Sequence, residues 1–258
     1  MSRDEHTAAT GTTPVDATQV PRIARPESVT LAETENARML VALTALDHDD
    51  WARPTDCTAW DVRAMAGHVL GMTETFTGLR RMATTMRAGA RRAGDGPFID
   101  GLTAVQVDER AHLDTTDLLR RMETAGQPQA RWRGRRRLLR ALPSTEVING
   151  QKETWRTGYL LDVILTRDTW MHRVDLARAT GRPHELTPEH DGRIVADVVA
   201  EWARRHRSPF VLHLTGTAGG SFVAGRDGEE LTLDAVEFCR ILSGRAPGDG
   251  LLATEVPF

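Results

Sequence analysis

Lysine is nearly missing from this chain of 258 residues: of its 33 basic side chains only Lys152 is a lysine. So strong an arginine bias, alongside many alanines and glycines, marks a GC-rich genome and speaks to source, not chemistry. Cysteine is scarce as well. Cys57 and Cys239 lie far apart and form no Cys-x-x-Cys pair. A single disulfide would be a poor framework for so long a chain, which favours a reducing compartment. No apolar run approaches the roughly 20 residues that span a bilayer, and the opening MSRDEHTAATGTTP has no apolar signal core. A soluble, cytoplasmic protein with no membrane partner is expected. An excess of one charge is also lacking: 33 basic and 36 acidic residues leave a net charge of −3, with no global field to draw the chain onto nucleic acid. What is present is ordinary for a globular protein, 40% hydrophobic and 27% charged residues, in a length that allows one large domain or two ordinary ones.

Residues 1–27 are rich in Thr and Ala, carry Pro14, Pro21 and Pro26, and lack apolar periodicity; they read as a disordered leader. From Val29 the spacing of Leu31, Met39, Leu43 and Leu46 predicts a first helix. A loop over 47–57 follows, and Thr58 with Asp61 reads as a capping box. One long helix is then expected through Val62, Met65, Val69, Met72, Phe76, Leu79, Met82 and Met86, ending at Gly89 and Gly94. Residues 100–125 supply one or two more helices, with Asp114 and Asp117 as a cap. The arginine-rich stretch 131–140 is expected to be a solvated helical face or an anion-binding edge, since the net charge is negative and one tryptophan is interleaved. Asn149-Gly150 mark a loop before a long helix over 154–180, stopped by Gly181 and Pro183. Thr187-Pro188 opens the next helix, which ends near His206. Two β-type runs, 210–215 and 221–224, flank a glycine-rich turn, and Asp234 with Glu237 caps a last helix. The expected architecture is mainly α: a helical bundle over 28–183, then a helix and a small α+β domain over 184–258.

Two histidines stand on the two long helices. Asp61, Met65, His68 and Met72 fall at offsets 0, 4, 7 and 11, which puts His68 at the border of the core-facing stripe. Asp168 and His172 are four apart, so a carboxylate and an imidazole stack on one helix face, where both can approach one cation. Two ligands on one helix and one on a facing helix are how bundle cores assemble metal sites, and three protein ligands leave a position open for water or substrate. Spacing alone leaves the plainer reading open: a hydrogen-bonded core histidine and a surface ion pair.

The segment Pro54-Thr-Asp-Cys-Thr-Ala-Trp-Asp-Val-Arg-Ala-Met-Ala-Gly-His68 resembles the signature of the mycothiol-dependent maleylpyruvate isomerase family, whose N-terminal bundle is a DinB-like four-helix bundle. Asp168-Thr-Trp-Met-His172-Arg-Val-Asp-Leu-Ala-Arg-Ala-Thr-Gly181 is similar to the family's second segment, and Leu-Thr-Gly216 with Leu-Ser-Gly-Arg245 resembles its C-terminal domain. The resemblance spans nearly the whole chain after residue 29. It implies a divalent metal, zinc by preference, held by His68, Asp168 and His172, with mycothiol as the low-molecular-weight thiol partner. It implies a monomer or homodimer acting on a small molecule. A thiol of pKa about 8.5 is mostly protonated at neutral pH, and coordination deprotonates it. In the isomerases such a thiolate adds to a conjugated cis double bond, and elimination after rotation returns the trans product. Other relatives act as S-transferases. Arg245 is implied as a contact for a substrate carboxylate; its other reading is a charge at a helix C-terminus. One departure stands out, because the family's carboxylate ligand is usually glutamate and Asp168 is one methylene shorter. Trp60 is read as a packing anchor, Cys57 as a buried loop residue and Asp175 as either an outer support or part of a helix surface. His112, His184, His190, His206 and His213 match no ligand position. A non-catalytic small-molecule binding protein and a metal-dependent hydrolase remain the competing functions.

Overall fold

In a computed structural model that describes residues 13–136, 138–148 and 151–258, four helices form the bundle: α1 (Arg25–Thr44), α2 (Val62–Thr75), α5 (Thr115–Arg135) and α7 (Leu165–Thr180). Helices α1 and α2 each pack against both α5 and α7. Between α2 and α5 the chain inserts a hairpin of α3 (Leu79–Ala93) and α4 (Phe98–Asp108). Starts are set locally. Pro26 occupies the first turn of α1, where a missing N–H is harmless, and Glu27 accepts from the backbone of Ala24. Asp61 caps α2 by accepting from the Ala64 N–H at 2.7 Å, and Asp114 caps α5 in the same way through Asp117. The Thr58 cap expected from sequence is therefore replaced by Asp61 itself.

The single long helix expected over 62–89 is two helices. The chain breaks between Thr75 and Leu79, with Gly78 extended at φ −171°. The apolar stripe runs through the break because Met72 and Phe76 before it, and Met82 and Met86 after it, enter one cluster with Trp132, Leu161 and Leu165. Nearer the other end of the bundle, Met39, Leu43, Val62, Met65, Leu118 and Leu176 form a second apolar cluster.

The helix expected from residue 154 begins later. Strands β2 (Pro143–Ile148) and β3 (Gln151–Arg156) form an antiparallel hairpin whose turn, Asn149-Gly150, lies outside the described residues. The chain then enters α6 (Thr157–Tyr159), a π-helical turn over Leu160–Ile164, and α7. The 131–140 stretch does not form a uniformly solvated face. Arg133 is buried, donates to the Leu161 carbonyl at 2.6 Å and to Thr166 Oγ1 at 2.9 Å, and burial pushes its pKa down to about 10.

After α7, a π-helical turn capped by Thr187 leads into α8 (Arg193–His206). A four-stranded sheet follows in the order β1-β5-β4-β6. Strands β4 (Phe210–Thr215) and β5 (Gly220–Ala224) are the expected antiparallel pair, and β6 (Glu229–Asp234) adds in parallel to β4. Strand β1 (Val15–Asp16) pairs in parallel with β5, and Ala17 beyond it is fully buried. The leader expectation fails for these residues, which complete the sheet; residues 1–12 lie outside the described set. Helix α9 (Ala235–Leu242), capped by Asp234, closes the core. Trp202, Phe210, Leu212 and Phe238 pack there with Trp170, Met171 and Val174 of α7. The boundary expected at 183/184 falls in a linker, yet α7 belongs to the bundle on one face and to the C-terminal core on another. Among the described residues no helix is long and apolar enough to cross a membrane.

Candidate functional site

The loop ahead of α2 is tied down from three directions. Thr55 bonds the Trp60 carbonyl through both its N–H and its hydroxyl, and the Trp60 N–H reaches the Cys57 carbonyl. Asp56 is gripped by Arg178 of α7 at 2.8 Å and by Arg240 of α9 at 2.9 Å. The loop is thereby fixed at the junction of bundle and C-terminal core, and it lays the Trp60 indole over the His68 imidazole, 4.8 Å between centroids and 28° between planes. This stacking gives Trp60 the anchoring role expected of it.

His68 and His172 are both buried and stand edge to face, 5.1 Å apart. Between them lies the Asp168 carboxylate. Its Oδ2 is 3.7 Å from His68 Nε2, and its Oδ1 is 3.5 Å from His172 Nε2. The three residues named from spacing and resemblance therefore meet, with one ligand atom from each inside a common 4.8 Å. The shorter aspartate reaches both imidazoles from its place on α7. Among the described residues Asp168 Oδ2 and His68 Nδ1 are buried without a hydrogen-bond partner, a cost that a cation at the carboxylate would offset in part.

Behind His172 stands a second layer. Its Nδ1 is 3.0 Å from Asp175 Oδ2, one turn further along α7. Asp175 is fully buried and is clasped by Arg245, whose Nε lies 2.8 Å from Oδ1 and whose Nη2 lies 2.9 Å from Oδ2. Gly244 makes that reach possible: at φ 76° it takes the left-handed backbone that ends α9 and turns Arg245 back, its N–H bonding the Arg240 carbonyl. The spacing of Asp175 from His172 was the available signal for its outer-support reading. Nothing local announced Cys57, which arrives from the fixed loop. Its Sγ is 3.6 Å from Asp175 Oδ2, 3.6 Å from Arg245 Nη2 and 4.0 Å from His172 Nδ1. Arg245 is thus at the site, and its guanidinium bonds Asp175 and Cys57.

These neighbours set the charge states. Burial alone would raise the Asp168 carboxyl, but the charge of His172 and the close approach of both imidazoles hold it well below the usual carboxylate range. Burial would likewise lower His172, yet Asp168 and Asp175 on its two sides push it well above an ordinary histidine. Asp175 is held low against its burial by His172 and Arg245. A second acidic group, Glu35, His190 and Asp191, is also close-set and buried. There the cationic place is taken by Arg173, which lies 2.6 Å from both Glu35 and Asp191.

Residues 32–177 match the family model described as the mycothiol maleylpyruvate isomerase N-terminal domain. No curated protein sequence matches the chain. Among solved structures it is similar to the mycothiol-dependent maleylpyruvate isomerase, at 16% identity and a TM-score of 0.54, over 86% of this chain and 90% of that one. A histidine-to-alanine variant of that isomerase matches over the same shares, with a TM-score of 0.53.

Proposed function

The chain belongs to the mycothiol maleylpyruvate isomerase family through its N-terminal domain, and from that premise we propose that it is a divalent-metal-dependent enzyme that uses mycothiol to act on a small electrophilic substrate, by cis-trans isomerisation or by S-transfer. One observation carries the reading: the Nε2 atoms of His68 and His172 converge on the Asp168 carboxylate, whose buried Oδ2 has no hydrogen-bond partner among the described residues.

The donor set fits a metal. Two imidazole nitrogens and a carboxylate oxygen suit zinc, and one such atom from each of His68, Asp168 and His172 lies within 4.8 Å of the others. The two histidine nitrogens stand 3.5 and 3.7 Å from the carboxylate, one from each of its oxygens, which is too long for good hydrogen bonds. A divalent ion held by His68, Asp168 and His172 would supply the positive charge that favours the thiolate form of a coordinating thiol at neutral pH.

The chain's own residues prepare the rest. Asp175 accepts a hydrogen bond from His172 Nδ1–H, which orients the ring and leaves Nε2 as the nitrogen facing Asp168. Arg245 balances the Asp175 charge, so the carboxylate stays ionised although buried. Trp60 covers one face of His68 and restricts its ring. Asp168, with its side chain 17% exposed, is the solvent-facing member of the set, while His68 and His172 are shielded to within a few per cent. Cys57 lies on the Nδ1 side of His172, away from the Nε2 atoms, and so has no part in that donor set.

The test is elemental analysis of the purified chain together with a maleylpyruvate assay run with and without mycothiol. Near-stoichiometric metal and thiol-dependent turnover are expected. A metal-free protein, or turnover indifferent to thiol, overturns the reading.

A further inference from the structure

A cavity of about 880 Å³ lies at the base of the β2–β3 hairpin, between the N-terminal segment, α6 with its π turn, and α8; none of His68, Asp168 and His172 lines it. Its acidic residues are already matched. Asp162 pairs with Arg140, Glu153 with Arg205, Asp197 with Arg167, and Glu201 with both Arg167 and Arg205. Four further arginines line the same cavity, Arg22, Arg156, Arg204 and Arg207, and none of them has a side-chain ion pair or hydrogen bond among the described residues. They come from three separate parts of the fold on a chain whose net charge is −3. A basic last turn in α8 would account for Arg204 alone. It does not account for Arg22 or Arg156, nor for Arg207, which sits past the helix end at φ 60°. That left-handed position favours glycine, and a side chain is kept there at an energetic cost. The cavity wall is aromatic: Trp155 and Tyr159 meet edge to face, 5.2 Å apart at 80°.

The geometry points to a second ligand site in this cavity, for a small organic polyanion that carries at least two phosphate or carboxylate groups beside a flat ring. The arginine forks match either anion, the volume lies in the range that accommodates one small molecule, and the indole and phenol offer a face for the ring. Inorganic anions alone would leave that wall unused. The assignment does not depend on the metal-site reading, because the two sites share no lining residue.

The experiment titrates the full chain with ADP, with benzene-1,3,5-tricarboxylate and with uncharged adenosine, followed by calorimetry and by tryptophan fluorescence. At least one polyanion is expected to saturate with a Kd below about 1 mM, to bind at least about tenfold more tightly than adenosine, and to weaken as salt is raised. Binding of ADP alone identifies a phosphorylated ligand and binding of the tricarboxylate alone a polycarboxylate; either supports the site. Charge reversal in the double variant Arg204→Glu/Arg207→Glu is expected to weaken binding at least tenfold while metal content stays at the wild-type level. Trp155→Phe should remove most of the fluorescence response. If the double variant does not fold, as judged by circular dichroism, Arg156→Glu replaces it with the same expectation. Failure of both polyanions to saturate by about 10 mM, adenosine binding as well as ADP, or a folded reversal variant that binds like wild type overturns the proposal.

Discussion

At the residue scale the candidate site is a chain of four charged groups, Asp168, His172, Asp175 and Arg245, each holding the next. Its members should differ in what their loss does. Removing one proposed ligand, His68→Ala, should abolish stoichiometric metal, because two donors hold a divalent ion far more weakly than three; metal retained at the wild-type ratio would remove His68 from the set. Asp168→Ala should do the same, whereas Asp168→Glu should keep the metal, since the added methylene extends a carboxylate that already stands 3.5 and 3.7 Å from the two nitrogens. If Asp168 were only an i,i+4 partner of His172, both changes would leave metal content alone. Arg245→Ala tests the outer layer. With its three contacts to Asp175 gone, metal affinity should fall by about 10–100-fold, Asp175→Asn should reproduce that fall, and kcat/KM should drop by on the order of 2 kcal/mol. A variant that kept full metal affinity and changed KM alone would make Arg245 a substrate contact and nothing more.

At the element scale the inserted α3–α4 hairpin depends on glycine. A Cβ at Gly101 would lie 2.4 Å from the Ala93 nitrogen and the Gly89 oxygen, and backbone cannot step aside as a side-chain tip can. Gly101→Ala should therefore cost about 1–3 kcal/mol in urea unfolding, and an unchanged midpoint would mean that the hairpin is packed more loosely. The same hairpin shows why some elements were legible in the sequence and others were not. Asp114, Thr187 and Asp234 cap helices as read, because a cap is a contact between near neighbours. The His68, Asp168 and His172 group was legible because helical spacing and two resembling segments name its members. The break after Thr75 was hidden, since the stripe that marks a helix continues on α3 into the cluster holding Met72 and Phe76. Strands β1 and β6 escaped notice for a different reason: β1 is two residues long, and β6 alternates half-buried Leu231 and Leu233 with exposed neighbours over only six. Both owe their pairing to strands distant in sequence. Cys57 reached the site through the tertiary grip on Asp56, which no local pattern records.

At the scale of the whole molecule, α7 is the shared wall of two cores, and its polar groups couple them in opposite electrostatic senses. On one side is the His172 site; on another, Arg173 joins Glu35 of α1 to Asp191 ahead of α8. In protein stripped of metal these groups predict a stability curve with a crest. His172 is raised above its unfolded value of about 6.5. Its ion pairs therefore stabilise fully below about pH 6.5 and lose that contribution as pH climbs through the folded value. His184 behaves oppositely: burial, reinforced by the nearby charge of Arg173, lowers it to about 4. Between about pH 6.5 and 4 the unfolded chain binds a proton that the folded chain refuses, so stability falls with pH. Below that window the carboxylates take over. Asp191, against the opposing effect of burial, is held at about 2 by the Thr187 N–H, Arg173 and Trp170, and its contribution, on the order of 2 kcal/mol, is present above about pH 4 and is lost as pH falls toward 2. Urea unfolding of metal-stripped protein from pH 8 to pH 3 should thus show its highest midpoint at about pH 6.5, with declines on both sides. His184→Gln should flatten the decline from 6.5 to 4 and leave the steeper fall below pH 4 in place. Superimposable curves for wild type and His184→Gln would mean that His184 gains its proton without unfolding, and the acid limb would then belong to Asp191 and the other carboxylates alone.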